Sequence, residues 1–242
     1  MQQLLDGLRQ ALDLVLHGDA ALVATTLRTL RIGLESTAIA ALLGLPAGCA
    51  LGLARFRGRG LLLGVFNAGI RTPPIALGVL LWLLLWPDSR WGGGPLSGLG
   101  WIYTLDAVVL AQTLLVLPIV VALTAAAVQR VPEGLVDQAR AFGAPAWRRG
   151  TLALREARVG VLAALIAALG TAIASVGAIL VVGSQLGSAT LATAALNRWN
   201  GGGQDAASVA YGTVLLGMFL VLAAALTTMQ HRRSGWIPGR AS

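Results

Sequence analysis

Long apolar segments and short polar connections alternate along most of this chain. Mostly apolar runs occupy residues 31–54, 61–86, 105–128, 157–183 and 207–229. A helix needs about 20 such residues to cross a hydrocarbon core of about 30 Å, and each run is long enough. The pattern predicts an all-α membrane protein with five transmembrane helices, which form a single domain over residues 1–242.

The N-terminal segment, residues 1–17, has an amphipathic pattern instead. Its apolar residues recur near helical spacing at Leu4, Leu5, Leu8, Leu12, Val15 and Leu16. This spacing predicts a helix that lies on the membrane surface. A cleaved signal peptide is the alternative, although the segment lacks a basic start and a continuous apolar core.

Prolines interrupt two of the apolar runs. Pro73 and Pro74 lie within the second run, and Pro118 lies within the third. A proline inside a helix removes a backbone hydrogen bond and kinks the helix. Kinks at these positions suit helices that line a path or flex, and purely structural kinks are the alternative.

Composition narrows the functional classes. Hydrophobic residues make up 56% of the chain and charged residues 12%, and all 18 basic residues are arginine. A P-loop needs a lysine that reaches the β- and γ-phosphates, so the chain cannot carry an ordinary ATP-hydrolysing site. Any use of ATP must involve another subunit.

The sequence gives no sign of a site for nucleic acid, a metal ion or a cofactor. The net charge of +8 does not indicate nucleic acid binding, because the arginines lie mainly in connections that flank the membrane. The single Cys49 and the distant pair His17 and His231 predict neither a metal site nor a cofactor.

The distribution of arginines predicts the orientation. One set of connections carries Arg55, Arg57, Arg59, Arg130, Arg140, Arg148, Arg149, Arg155, Arg158, Arg232, Arg233 and Arg240. The opposite set carries Arg9, Arg28, Arg31, Arg90 and Arg198. Since cytoplasmic loops are enriched in basic residues, the N-terminus is predicted outside and the C-terminus in the cytoplasm. The outer connections 87–104 and 184–206 are either simple links or a docking surface for an external partner.

The segment 131–158 is the one crowded polar insert between apolar runs. Glu133 to Phe142 can form a short helix, Gly143 can end it with a positive φ, and Pro145 suits the first turn of a second helix. The pattern predicts a cytoplasmic helix–turn–helix. It either docks a partner or is a solvated loop whose arginines only set the topology.

The run from Asp137 to Pro145 resembles the "EAA" loop of binding-protein-dependent ABC importer permeases of type I. In that pattern Glu-Ala-Ala is followed after three residues by Gly and, further on, by Leu-Pro. Here Asp137 stands for Glu, Ala139 and Gly143 match, and Leu154 falls at the expected leucine. The resemblance implies a coupling loop that seats in a cytoplasmic ATPase, with these predicted contact residues: Asp137, Ala139, Phe142, Gly143, Trp147 and Leu154.

The same resemblance implies the partners and the location. They are a cytoplasmic ABC ATPase dimer, an extracytoplasmic solute-binding protein and a second copy of the chain, in a bacterial cytoplasmic (inner) membrane. The chain itself would then be a non-catalytic permease subunit within the lipid bilayer.

Four further segments resemble the permeases of tungstate importers. They are Leu154 to Arg158, Ile173 to Ala178, Asn67 to Gly78, and Val182-Gly183 with the Gly- and Thr-containing loop that follows. The resemblance implies transport of tungstate or a related oxyanion, and molybdate, sulfate or another small solute is the alternative. A stand-alone ion-driven carrier or channel is the alternative from another class. Such a carrier usually has acidic residues within the membrane, and none lies near the middle of a run here.

Arg71 is the candidate for a contact with the solute. A charge at the membrane centre costs about 2.5–3.5 kcal/mol on insertion scales, so Arg71 is predicted to have a function. It either faces the translocation path or lies near the cytoplasmic interface and reaches water. Thr113, Thr171 and Ser175 are predicted to offer weak hydrogen bonds along the path, although such residues also pack helices.

Overall fold

The computed structural model describes residues 9, 17, 19–87, 93–183, 190–200 and 206–234. Within these ranges every regular element is helical, which confirms the predicted all-α membrane fold. The α-helices are α1 (Ala20–Leu53), α2 (Arg59–Gly69), α3 (Pro74–Leu85), α4 (Leu105–Val128), α5 (Glu133–Ala141), α6 (Ala146–Glu156), α7 (Arg158–Ala174), α8 (Gly177–Val182), α9 (Leu191–Asn200) and α10 (Ala206–Ser234). A single 3₁₀ turn, Ser97–Leu99, precedes α4. The helix predicted over residues 1–17 lies outside the described residues, apart from Arg9 and His17.

Three helices in the described ranges are long and apolar enough to cross a membrane without a break: α1, α4 and the Ser208–Ala225 part of α10. Two further candidates are bent pairs. α2 and α3 meet at 100°, and α6 and α7 meet at 77°. The described residues therefore contain three candidate spans, or up to five if each bent pair counts as one.

Several predicted boundaries were wrong. α1 begins at Ala20 rather than at residue 31, because Asp19 caps it: the Leu22 N–H donates to Asp19 Oδ1 at 2.9 Å. The second run is two helices, since Pro73 and Pro74 cannot continue a helix and Pro74 instead begins α3. The fourth run, 157–183, is also broken, because Ser175 adopts an extended conformation between α7 and α8.

α4 is the central helix of the bundle. Val108, Ala111, Val116, Val120 and Ala125 of this helix are fully buried. Its most extensive interface is with α1, and three glycines of α1, spaced four residues apart, lie on the face that contacts α4. Those glycines are Gly44, Gly48 and Gly52.

The α1–α4 interface depends on the absence of side chains at these glycines. A Cβ on Gly48 would lie 2.6 Å from the carbonyl oxygen of Val121, and one on Gly52 would lie 2.7 Å from Val128 Cγ1. Small residues let membrane helices approach closely and gain van der Waals contact. The two helices thus form a rigid pair around which the others pack.

The outer connection 184–206 contains a helix that the sequence pattern did not predict. α9 begins after Thr190, whose N–H donates to Thr193 Oγ1 at 2.7 Å. The N–H of Leu191 donates to Thr29 Oγ1 on α1 at 2.8 Å, so the helix is fixed to the bundle. The connection 184–206 therefore contains regular structure that its Gly-rich sequence did not indicate.

Candidate coupling segment and central cavity

The coupling segment, residues 131–158, is built from α5, a tight turn and α6. Gly143 has a φ of 75°. Its N–H donates to the Arg140 carbonyl at 2.9 Å, and the Ala144 N–H donates to the Ala139 carbonyl at 2.9 Å. These two bonds form a Schellman motif, which satisfies the last carbonyls of α5 and favours glycine at the left-handed position. Pro145 then caps α6 rather than occupying its first turn.

Two aromatic side chains project from this turn. Phe142 is 91% exposed and Trp147 is 66% exposed. The Arg148 guanidinium lies over the Trp147 ring, 5.1 Å from its centroid. Large exposed aromatics among charged residues are typical of a protein–protein contact, because they bury much apolar area on binding.

The other candidate coupling residues differ from these aromatics, and from each other, in their exposure. Asp137 is exposed and Ala139 is half-buried. Leu154 packs inward, against a buried cluster that includes Cys49 of α1 and Val128 of α4. The segment therefore has an outer side with Phe142 and an inner side that is anchored to the ends of α1 and α4.

A second feature is a cavity of about 670 Å³ at the break between α2 and α3. We call it the central cavity. Its lining includes Arg71, Pro73, Leu115, Thr171 and Ser175. Three of the four residues predicted along a translocation path, far apart in the sequence, thus border one space.

The central cavity lies at mid-depth of α4. Leu115, which lines the cavity, is the eleventh of the 24 residues in that helix. Gly69, two residues before Arg71, lies against Pro118: a Cβ on Gly69 would be 2.9 Å from Pro118 Cβ. Arg71 therefore lies beside the middle of the bundle rather than beside its ends, and it is exposed in the single chain.

The hydroxyl groups of the cavity differ in their partners. Thr171 Oγ1 donates to the Ala167 carbonyl at 3.0 Å within its own helix. Ser175 Oγ is buried and has no hydrogen-bond partner within the described ranges. A buried hydroxyl without a partner costs about 1–3 kcal/mol, so Ser175 offers a site for water or solute.

Thr113 does not belong to this group. Its hydroxyl donates to the Val109 carbonyl at 2.7 Å, and it lies 3.5 Å from the Ser36 carbonyl oxygen at the α1–α4 interface. The described contacts of Thr113 are those of a helix-packing residue.

Gln112 was missed by the sequence analysis. Its side chain is fully buried, and neither Nε2 nor Oε1 has a partner among the described residues. Gln112 precedes Leu115 by three positions, which places both on the same side of α4. The signal was present, since Gln112 is the one amide residue in the apolar run 105–128. No group of three potential metal ligands occurs in the part of the chain that the structure describes.

Known proteins share this architecture. A family model described as "binding-protein-dependent transport system inner membrane component" matches residues 44–235. The chain is 38% identical over 165 residues to a probable anion ABC transporter permease protein of Haloferax volcanii, which corresponds to 68% of this chain and 69% of that protein. It is 26% identical over 232 residues to the tungstate uptake system permease protein TupB of Peptoclostridium acidaminophilum, or 96% and 100% of the two chains.

A crystal structure of an amino acid ABC transporter with histidines has a similar fold. The TM-score is 0.61 at 19% sequence identity, over 91% of this chain and 97% of that chain. At this level of identity, the likeness shows the fold alone.

Proposed function

Because the chain belongs to the family of binding-protein-dependent transport system inner membrane components, we propose that it is the permease subunit of an ATP-driven importer for tungstate or a related oxyanion. The family is one of multi-pass inner membrane proteins. The permease conducts the solute, and the absence of lysine from the chain assigns ATP hydrolysis to a separate subunit.

The observation that carries the oxyanion assignment is the position of Arg71. Arg71 lines a cavity beside the middle of α4, together with Ser175, whose hydroxyl has no hydrogen-bond partner among the described residues. A guanidinium donates several hydrogen bonds in a geometry that matches oxyanions, and it stays charged at any physiological pH. A conduit with one such group per chain attracts a dianion and still releases it. The relatives named for tungstate and for anions support the same class of solute.

The exposure of Arg71 supports assembly as a pair of copies. In the single chain, Phe219 of α10 lines the central cavity and is exposed, and its neighbour Val221 on the same helix is exposed as well. A guanidinium that faced hydrocarbon at mid-depth would cost about 2.5–3.5 kcal/mol. A second copy that covers this side removes that cost and encloses a path between the two cavities.

The coupling segment is the proposed contact with the ATPase. Phe142 and Trp147 form its exposed part, and the Gly143 turn fixes their relative position. The twelve arginines on this side of the predicted topology favour its placement in the cytoplasm, with the N-terminus outside. An external solute-binding protein then delivers the oxyanion to the opposite side.

Uptake by proteoliposomes tests the proposal. The chain is reconstituted with its ATPase and binding protein, and radioactive tungstate uptake is measured with ATP inside and with unlabelled tungstate, molybdate or sulfate as competitors. We expect uptake that needs ATP and both partners, and tungstate should be the strongest competitor. Uptake by this chain alone would indicate a stand-alone carrier, and uptake that sulfate blocks best would reassign the solute.

A further inference from the structure

A second cavity lies between the coupling segment and the ends of α1 and α4. We call it the inner cavity, and its volume is about 960 Å³. Four arginines line it: Arg55, Arg59, Arg140 and Arg149. Asp137 is the one carboxylate of the described lining, so four positive charges face a single negative charge.

Two of these arginines show why the charge is available to a ligand. Arg59 Nε donates to the Leu51 carbonyl at 2.7 Å, and one Nη donates to the Gly52 carbonyl at 3.2 Å. These bonds hold the guanidinium at the end of α1 without neutralising it. Arg149 Nε is buried and has no partner within the described ranges. A buried donor of this kind is costly unless an acceptor reaches it.

Most of the remaining wall is apolar, with Gln129 and Thr151 as its uncharged polar residues. Pro46 and Leu53 of α1, Val128 at the end of α4, and Leu154 of α6 contribute to it. The inner cavity is therefore amphipathic, and it lies where the spans α1 and α4 end. A free tetrahedral oxyanion has the size of a few water molecules, at about 30 Å³ each, and would leave most of this volume unfilled.

We propose that the inner cavity binds the phosphate group of an anionic phospholipid from the cytoplasmic leaflet. The arginines surround the phosphate, and the upper acyl chains lie against the apolar wall. Guanidinium groups bind phosphate through paired hydrogen bonds, and basic pockets at the cytoplasmic ends of membrane helices attract anionic lipids. The lipid would occupy the space between the coupling segment and the ends of the spans α1 and α4.

Lipid retention by the purified full chain tests this directly. Native mass spectrometry in detergent compares the binding of phosphatidylglycerol with that of phosphatidylcholine. We expect a preference for phosphatidylglycerol that falls about fivefold in Arg140→Gln and again in Arg149→Gln, the usual effect of one basic residue at an anionic lipid surface. Arg57→Gln is the matched control, because Arg57 is exposed in the same connection as Arg55 and Arg59 and does not line the cavity.

Two results would overturn the proposal. One is equal retention of the two lipids by the unaltered chain; the other is a loss in Arg57→Gln as large as that in Arg149→Gln. A third arm uses nanodiscs of phosphatidylcholine with free phosphate or free tungstate. Binding of the free ion that depends on Arg149, and that phosphatidylglycerol does not displace, would replace the lipid with a small oxyanion. Thermal unfolding checks each variant, and Arg140→Gln, at an exposed position, serves alone if Arg149→Gln does not fold.

This test is independent of transport. Retention is measured without ATP, ATPase or cargo, so failure of the lipid proposal would leave the importer function standing. Failure of tungstate uptake would likewise leave the lipid result unaffected.

Discussion

Replacing Gly143 with valine forces a β-branched residue into the left-handed conformation that ends α5. The φ of 75° is unfavourable for any residue with a Cβ. No other atom lies within 4 Å of a Cβ built at this position, so the new side chain has space and the cost is one of backbone conformation alone. Gly143→Val therefore isolates the turn from packing effects.

The expected cost follows from the geometry. A left-handed conformation costs an L-residue about 1–2 kcal/mol, and a β-branched residue lies at the upper end. If the turn opens instead, the two hydrogen bonds of the Schellman motif are lost, at about 0.5–1.5 kcal/mol each. A cost of about 2 kcal/mol lowers the population of the native turn roughly 30-fold relative to open forms. Phe142 and Trp147 then lose their fixed relative position.

The assay is the number of ATP molecules hydrolysed per tungstate imported by the reconstituted transporter. We expect Gly143→Val to retain ATP hydrolysis and to lose at least about nine-tenths of the import, whereas Gly143→Asn should stay near the unaltered protein because asparagine tolerates positive φ. Gly134→Val is the matched control: Gly134 lies in α5, has equally open space and has no positive φ. The reasoning is refuted if Gly134→Val uncouples as strongly, or if Gly143→Asn is as impaired as Gly143→Val.

Three further predictions concern the spans and the topology. Arg71→Leu should lower tungstate uptake at least about tenfold, equivalent to 1.4 kcal/mol, without disturbing assembly. Thr113→Val, outside the central cavity, should leave uptake unchanged. Equal uptake by both variants would exclude Arg71 from the path. Gln112→Leu should raise the thermal unfolding temperature, because it removes two buried polar atoms that have no partner among the described residues. A lower unfolding temperature would mean that the amide is satisfied in the membrane. In a Cys49→Ala background, a cysteine at Phe142 should react with an impermeant maleimide only from the cytoplasmic side, and one at Tyr103 only from outside; the reverse pattern would invert the topology.

The apolar pattern predicted the helices best where the chain gave clear end signals. α4 begins and ends at the predicted residues, 105 and 128, because Thr104 caps its start and the polar insert follows its end. The break at Ser175 carried no such signal, since neither Ser175 nor Val176 is a helix breaker. The break accompanies a tertiary contact: a Cβ on Gly177 would lie 2.6 Å from Ile75 Cγ1, so α8 approaches the first turn of α3 closely.

In the candidate sites, too, local features could be predicted from the sequence and tertiary contacts could not. Gly143 could be predicted to end α5 because its conformational freedom is a local property. The sequence could not predict that Arg71 and Ser175 line the same cavity, because about one hundred residues separate them. They are brought to one cavity by the packing of α3 against α8. The inward position of Leu154 also depends on contacts with α1 and α4, which no local pattern specifies.

α7 connects the two proposed sites through one continuous element. It begins at Arg158, where α6 meets it at 77°, and it ends at Ala174, directly before Ser175. Its 17 residues span about 25 Å at 1.5 Å per residue. If the coupling segment contacts the ATPase as proposed, we expect a rotation of this segment to be transmitted along α7 to Thr171 and Ser175, which line the central cavity. Gly160 packs tightly on Ala127 of α4 near the start of this helix, since a Cβ on Gly160 would lie 2.5 Å from Ala127 Cβ. We propose this contact as the pivot about which a displacement at α6 would move the wall of the central cavity.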